Sequence, residues 1–158
     1  MPAPSLFTLG YEGRSQSAVI DRLREAKVEL LIDVRAIAAS RRPGFSKTVL
    51  GASLAEAGVG YLHLRDLGTP KAGREAVRAG RPEVMREIFE AHLQTTTAHH
   101  ALERAIGESL GRRVCLLCYE ADPACCHRRI VAERMRAYTG AEVVDLHVEL
   151  QGSSSMSQ

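Results

Sequence analysis

The feature that most constrains this chain is Val28-Glu-Leu-Leu-Ile32, a nearly continuous apolar run rising into Asp33-Val-Arg35. Such a run has the pattern of a strand buried on both faces of a parallel sheet, and a sheet of that kind needs helices on either side. The flanking sequence supplies strand and helix patterns in alternation. Phe7-Thr-Leu9 reads as a short strand ending in Gly10-Tyr-Glu-Gly13, and Ser15 or Ser17 offers a cap to a helix carrying Val19, Ile20 and Leu23. After the loop from Ala36 to Phe45, Ser46 can cap a helix with Val49, Leu50 and Leu54 before Gly58; Gly60 to Leu64 is a third strand.

From Arg65 to Gly80 the pattern dissolves, and a connection of that length reads as a lid or a mobile segment. Pro82 then opens a helix over 83–93 with Val84, Ile88 and Phe89 as its stripe, and the Thr95–Thr97 patch breaks the run. A helix follows over about 98–110, then a fourth strand, Arg113 to Cys118. A helix from near Cys125 carries Ile130, Val131, Met135 and Tyr138, and Glu142 to Val148 is a fifth strand. This order predicts a three-layer α/β domain over residues 1–150, with a mostly parallel central sheet of about five strands and helices on both faces. Residues 151–158 hold three serines in a row and only Met156 to dock, which predicts a frayed tail.

Composition narrows the function. No apolar run approaches the roughly 20 residues of a membrane helix, and the first ten residues lack the pattern of a secretory signal, so a cytoplasmic protein with reduced thiols and no membrane partner is expected. A net charge of +2, from 21 Lys+Arg against 19 Asp+Glu, is too balanced for non-specific coating of nucleic acid. Aromatic residues make up only 4% and Trp is absent, which leaves little for a single-strand stacking platform, although Tyr11 and Phe45 are placed where they can stack on a base. Any anion site must therefore be local. The basic residues are 18 Arg and 3 Lys; Arg favours forked contacts to carboxylate or phosphate, but a GC-rich genome yields the same bias.

In sheets of this class ligands bind outside the carboxyl ends of the strands. That rule gathers four segments onto one rim: Gly10 to Gly13, Asp33 to Arg35 with the Arg41-Arg42 loop, His63 to Asp66, and Cys118 to Arg129. The last is the densest, Cys118-Tyr-Glu-Ala-Asp-Pro-Ala-Cys-Cys-His-Arg-Arg129. A thiol beside a helix N-terminus is favoured as thiolate, His127 can relay a proton near neutral pH, and Arg128 and Arg129 oppose the dipole of a purely structural helix. Cys115 and Cys118 form a C-x-x-C inside a strand, where residues three apart face opposite ways, so they do not share a metal and Cys115 reads as a small core hydrophobe. Cys118 can instead meet Cys125, Cys126 or His127, as nucleophile and partner, as a dithiol, or as two or three metal ligands. His99-His100 diverge by about 100° on a helix and complete no second ligand set, so no metal is assigned.

Simpler readings stand beside these. Asp33 and Arg35 can pair with each other, Arg41 and Arg42 can be solvated loop charges, and His63 can be a satisfied rim residue. A Walker loop and the dinucleotide fingerprint are both absent, and nine residues separate Cys118 from Arg128, too many for a cysteine phosphatase loop.

Thr8-Leu-Gly-Tyr-Glu12, Leu31-Ile-Asp-Val-Arg35, Ser40-Arg-Arg-Pro-Gly-Phe-Ser46, the Gly58 to Leu67-Gly68 stretch, and Leu117-Cys-Tyr-Glu-Ala-Asp-Pro123 to Cys126-His-Arg128, in this order, resemble the family named domain of unknown function 488. The likeness spans about Phe7 to Leu150. It implies a soluble α/β protein of bacterial or archaeal type, and marks Gly10, Asp33, Arg35, Arg42, Pro43, Phe45, Cys118, Cys126, His127 and Arg128; Cys125 falls outside the pattern.

The leading expectation is a small cysteine-dependent enzyme acting on a phosphate-bearing or other anionic small molecule or nucleotide. Cys118 or Cys126 is its nucleophile and His127 its acid/base. The substrate site is Gly10, Tyr11, Asp33, Arg35, Arg42, Phe45 and Arg128. The alternatives are a nucleotide or nucleic-acid binding module without catalysis, and a structural metal site. Cofactor, substrate and oligomeric state are left open by the sequence.

Overall fold

The computed structural model describes residues 5–149; the predicted tail at 151–158 lies outside the described residues. The strands are β1 (Ser5–Gly10), β2 (Leu30–Asp33), β3 (Gly60–His63), β4 (Val114–Cys118) and β5 (Glu142–Leu146). They form one sheet in the order β3-β2-β4-β1-β5, and every pair is parallel. The helices are α1 (Gln16–Glu25), α2 (Lys47–Glu56), α3 (Lys71–Arg78), α4 (Pro82–His92), α5 (Thr96–Ser109) and α6 (Arg128–Thr139), with single 3₁₀ turns at Arg65–Leu67 and Pro123–Cys125.

The strands alternate apolar side chains between the two faces. Phe7, Leu9, Leu31, Cys115 and Leu117 meet Val19 and Leu23 of α1 and Leu50 and Leu54 of α2. Leu6, Ile32 and Leu116 face the other way, onto α3–α6. This is the expected three-layer α/β arrangement. The chain leaves β2 toward β3 through α2 on one face, and leaves β4 toward β5 through α6 on the other. Adjacent strands whose connections run in opposite directions open a crevice at their carboxyl ends, so the topology alone places one between β2 and β4.

Several elements differ from the sequence reading. The predicted loose connection over 65–80 contains α3: Pro70 sits at its N-cap, and Gly73 and Ala76 are its buried face. That face is built from small residues, which carry little hydropathic signal. Thr95 caps α5 by accepting from the Ala98 N–H rather than merely breaking the run. In α4 the buried positions are Met85 and Phe89, with Val84 and Ile88 only half-buried. Helix α6 starts at Arg128, after the turn formed by Pro123–Cys125, and Tyr138 lies outside its stripe at 70% exposure. Strand β5 stops at Leu146.

Phe89 is fully buried between α4 and the core and packs its ring edge-to-face near His127, with centroids 5.1 Å apart. Truncating it to alanine should lower the unfolding free energy by about 3–5 kcal/mol in urea titrations. Tyr138→Ala, at a solvated position, should change it by less than about 0.5 kcal/mol.

Candidate functional site

The loops after β1, β2 and β4 are zipped together beyond the sheet. The Tyr11 and Glu12 N–H groups donate to the Cys118 and Tyr119 carbonyls, extending the β1–β4 ladder, and the Val34 N–H donates to Leu117. Gly10 is what permits this approach, because a Cβ there would lie 1.8 Å from the Glu120 carbonyl oxygen. Gly68 serves the same purpose on the far side, where a Cβ would lie 2.2 Å from the Ala36 nitrogen. Both glycines thus shape the rim by lacking a side chain.

Where β2 ends, Asp33 is fully buried and accepts from the Arg35 backbone N–H, from Arg35 Nε at 2.9 Å and Nη2 at 2.7 Å, and from the Tyr61 hydroxyl at 2.6 Å. The remaining guanidinium nitrogen, Nη1, donates to the Tyr11 hydroxyl at 3.1 Å. Burial alone would ease the proton off Arg35, but the Asp33 carboxylate outweighs it and holds the group firmly cationic. Burial, with the carboxylate beside it, also pushes the Tyr61 hydroxyl up. The simpler reading of the Asp33–Arg35 pair is therefore correct as geometry, and it holds the Arg35 guanidinium in a fixed, buried position at the carboxyl end of β2.

Where β4 ends, Cys118, Cys126 and His127 are buried side by side, their ligand atoms all within 4.8 Å of one another. His127 Nε2 lies 2.7 Å from the Val34 carbonyl oxygen. A carbonyl only accepts, so Nε2 carries a proton and Nδ1 is the nitrogen that faces the sulfurs, 3.6 Å from Cys118 Sγ and 3.9 Å from Cys126 Sγ; it offers a lone pair when the ring is neutral and a proton to Cys126 when the ring is charged. Cys126 also receives the Arg128 backbone N–H at 3.5 Å, at the start of α6.

The charges order themselves accordingly. Hydrogen bonding to Cys126 first, and burial second, push the Cys118 thiol well up. Burial also acts upward on Cys126, but the Cys118 thiol, His127 and the Arg128 charge together hold it well below the usual range. For His127, burial acts downward and is overcome by the Cys126 partner, so its proton is held more tightly than usual. Cys115 faces the opposite side of the sheet, and burial pushes its thiol far up as an inert core group. Cys125 turns away to Asp122, with its Sγ 3.7 Å from the carboxylate.

A cleft of about 620 Å³ opens over this point. Of the sequence-assigned residues, Tyr11, Arg35, Cys118 and His127 line it. The others do not. Phe45 is fully buried beneath Tyr11, the two rings stacked with centroids 4.2 Å apart. Its face is consequently filled by Tyr11 rather than open to a base. Arg128 is buried and donates to the Glu120 and Ala121 carbonyls, Arg42 donates to the Arg14 carbonyl, and Cys126 is buried and does not border the cleft. These groups position the rim rather than border the cavity.

Among the cleft residues not singled out from sequence are Arg74 and Arg78 of α3, Tyr119 and Glu120. The two arginines are four apart and share a helical face, a signal that appears only once α3 is recognised. Burial, helped by the Cys126 charge, pushes the Glu120 carboxyl up to about 7. Arg41, expected as a loop charge, also lines the cleft. His63 is a satisfied rim residue, its Nε2 2.8 Å from the Arg35 carbonyl, and His99 is paired with Glu103 on α5.

The family described as "Domain of unknown function DUF488" matches residues 15–135, most of the chain. The chain belongs to the DUF488 family. The match takes in β2, the arginine loop, α3, β4 and the Cys118–Arg128 segment of this DUF488 domain, while Gly10 and Tyr11 precede it. No curated protein and no solved structure matches it. Among the described residues no helix is long and apolar enough to cross a membrane.

The buried Asp33–Arg35 pair generates a stability prediction for this DUF488 site. Asp33→Asn leaves the guanidinium buried with half its partners and should cost about 3–5 kcal/mol of unfolding free energy. Replacing both, Asp33→Asn with Arg35→Met, should recover part of that loss in the same denaturation experiment.

Proposed function

We propose that this DUF488 protein is a small enzyme acting on a phosphate-bearing or otherwise anionic small molecule. The anion is held by Arg35 with Arg41, Arg74 and Arg78, and the Cys118–Cys126–His127 centre is the reactive group. The observation that supports this most is that four arginines and the only paired sulfur donors near a histidine, among the described residues, border or underlie one cleft. Arg35 is held in place by Asp33 and Tyr11, so it meets an anion without losing much side-chain freedom. Arg41 and Arg78 are exposed, line the same cleft and complete the clamp. His127 Nδ1 faces both sulfurs, so lone-pair and proton traffic at the centre passes through one nitrogen. Cytoplasmic residence belongs to the same proposal, since it keeps the thiols reduced.

The competing class is a nucleotide-binding module that uses the same arginines and performs no chemistry. Titration calorimetry with inorganic phosphate and with nucleoside monophosphates should show binding that Arg74→Ala and Arg78→Ala each weaken by about tenfold, the loss of roughly one charged hydrogen bond. Arg78→Ala, at an exposed position, should leave the melting temperature unchanged. A panel of phosphate esters should then reveal turnover that His127→Ala abolishes while phosphate binding persists. Binding without turnover across the panel would favour the module, and no binding would overturn the proposal.

A further inference from the structure

We infer that Cys118, Cys126 and His127 bind one divalent metal ion of borderline softness, Zn²⁺, with its fourth coordination position open to the cleft. The inference rests on the anionic-substrate reading only for what meets that open position. Two thiolates and an imidazole are the donor set that selects zinc over the hard cations.

The spacing fits. Bond lengths of about 2.3 Å to sulfur and 2.0–2.1 Å to nitrogen, at tetrahedral angles, put sulfur and nitrogen about 3.6 Å apart. Cys118 Sγ and Cys126 Sγ lie 3.6 and 3.9 Å from His127 Nδ1. The outer partners fit as well. A metal-binding histidine characteristically donates its other ring N–H to a carbonyl or carboxylate, and His127 gives Nε2–H to Val34 at 2.7 Å. The Arg128 backbone N–H supports Cys126 at 3.5 Å, where an unshared thiolate would otherwise be buried.

No fourth protein ligand joins the three among the described residues. Cys115 is on the opposite face of the sheet and Cys125 is turned to Asp122. A structural zinc site is closed by four protein ligands, whereas a reactive one keeps three and an open corner. Cys118 and His127 border the cleft, so that corner faces the arginine-lined space, where a substrate oxygen or a water completes the shell. Binding the ion releases to solvent the Cys118 thiol proton and the proton shared by Cys126 and His127, and needs no oxidant or reductant.

The test is a Co²⁺ titration of the reduced, chelator-treated, full-length protein. The expected result is a thiolate-to-cobalt charge-transfer band and tetrahedral ligand-field bands that saturate at one equivalent. They should be lost in Cys118→Ser and Cys126→Ser and kept in Cys125→Ser. Because either core variant can fail to fold, X-ray absorption of the zinc-loaded wild type serves as the second reading, with two sulfurs in the shell expected. Folded, reduced wild type that gives no such bands, or a shell without sulfur, would overturn the inference. Inorganic phosphate separates the two proposals. Cobalt bands in a protein that binds no phosphate by calorimetry would keep the metal and discard the anionic substrate; phosphate binding that depends on Arg74 and Arg78, without cobalt bands, would do the reverse.

Discussion

The hydrogen bond from His127 Nε2 to the Val34 carbonyl is the interaction on which the rest of the site depends. It joins the segments after β2 and β4, the neighbouring strands whose connections run in opposite directions. It also decides the chemistry. By engaging the Nε2 proton it leaves Nδ1 to face the two sulfurs, as a lone pair when the ring is neutral and as a proton donor to Cys126 when the ring is charged. Phe89 packs edge-on near the ring, so the imidazole is held by apolar contact as well as by its two nitrogens.

A second constraint runs parallel to it. Asp33 lies at the end of β2, beside Val34, and its carboxylate is saturated by Arg35 and Tyr61, with none of its hydrogen-bonding capacity aimed outward. The result is a cation whose direction is set by the core. Arg128 does comparable work at β4, where it ties down the Glu120 and Ala121 carbonyls from below and contributes positive charge beside Cys126. Two of the arginines that sequence reading placed on the substrate, Arg42 and Arg128, are thus framing groups, whereas Arg74 and Arg78, not singled out from sequence, line the cleft.

Much of this was legible from residue order, for identifiable reasons. Parity along a strand separates Cys115 from Cys118, and the layers follow from apolar runs broken by helical spacing. The carboxyl-end rule brings Asp33, Arg35, Cys118 and His127 to one rim without any structure. What was not legible depends on contacts across the chain. Helix α3 buries Gly73 and Ala76, too small to give an apolar stripe, so the segment reads as a loose connection and Arg74 and Arg78 are not singled out. Phe45 looked available for stacking because nothing local reveals that Tyr11 already covers it. Glu120 carries no signal in sequence, since its raised proton affinity comes from burial produced by the neighbouring loops.

The claim that the whole site turns on the His127 tautomer is directly measurable. Nitrogen-15 NMR of the histidine rings in the reduced protein, at a pH where His127 is not imidazolium, should show Nε2 protonated. Its slowly exchanging hydrogen should couple across the bond to the Val34 carbonyl carbon, with Nδ1 carrying no proton. A ring protonated at Nδ1, or one averaging between tautomers, would contradict the account, because neither presents a fixed lone pair to Cys118 and Cys126.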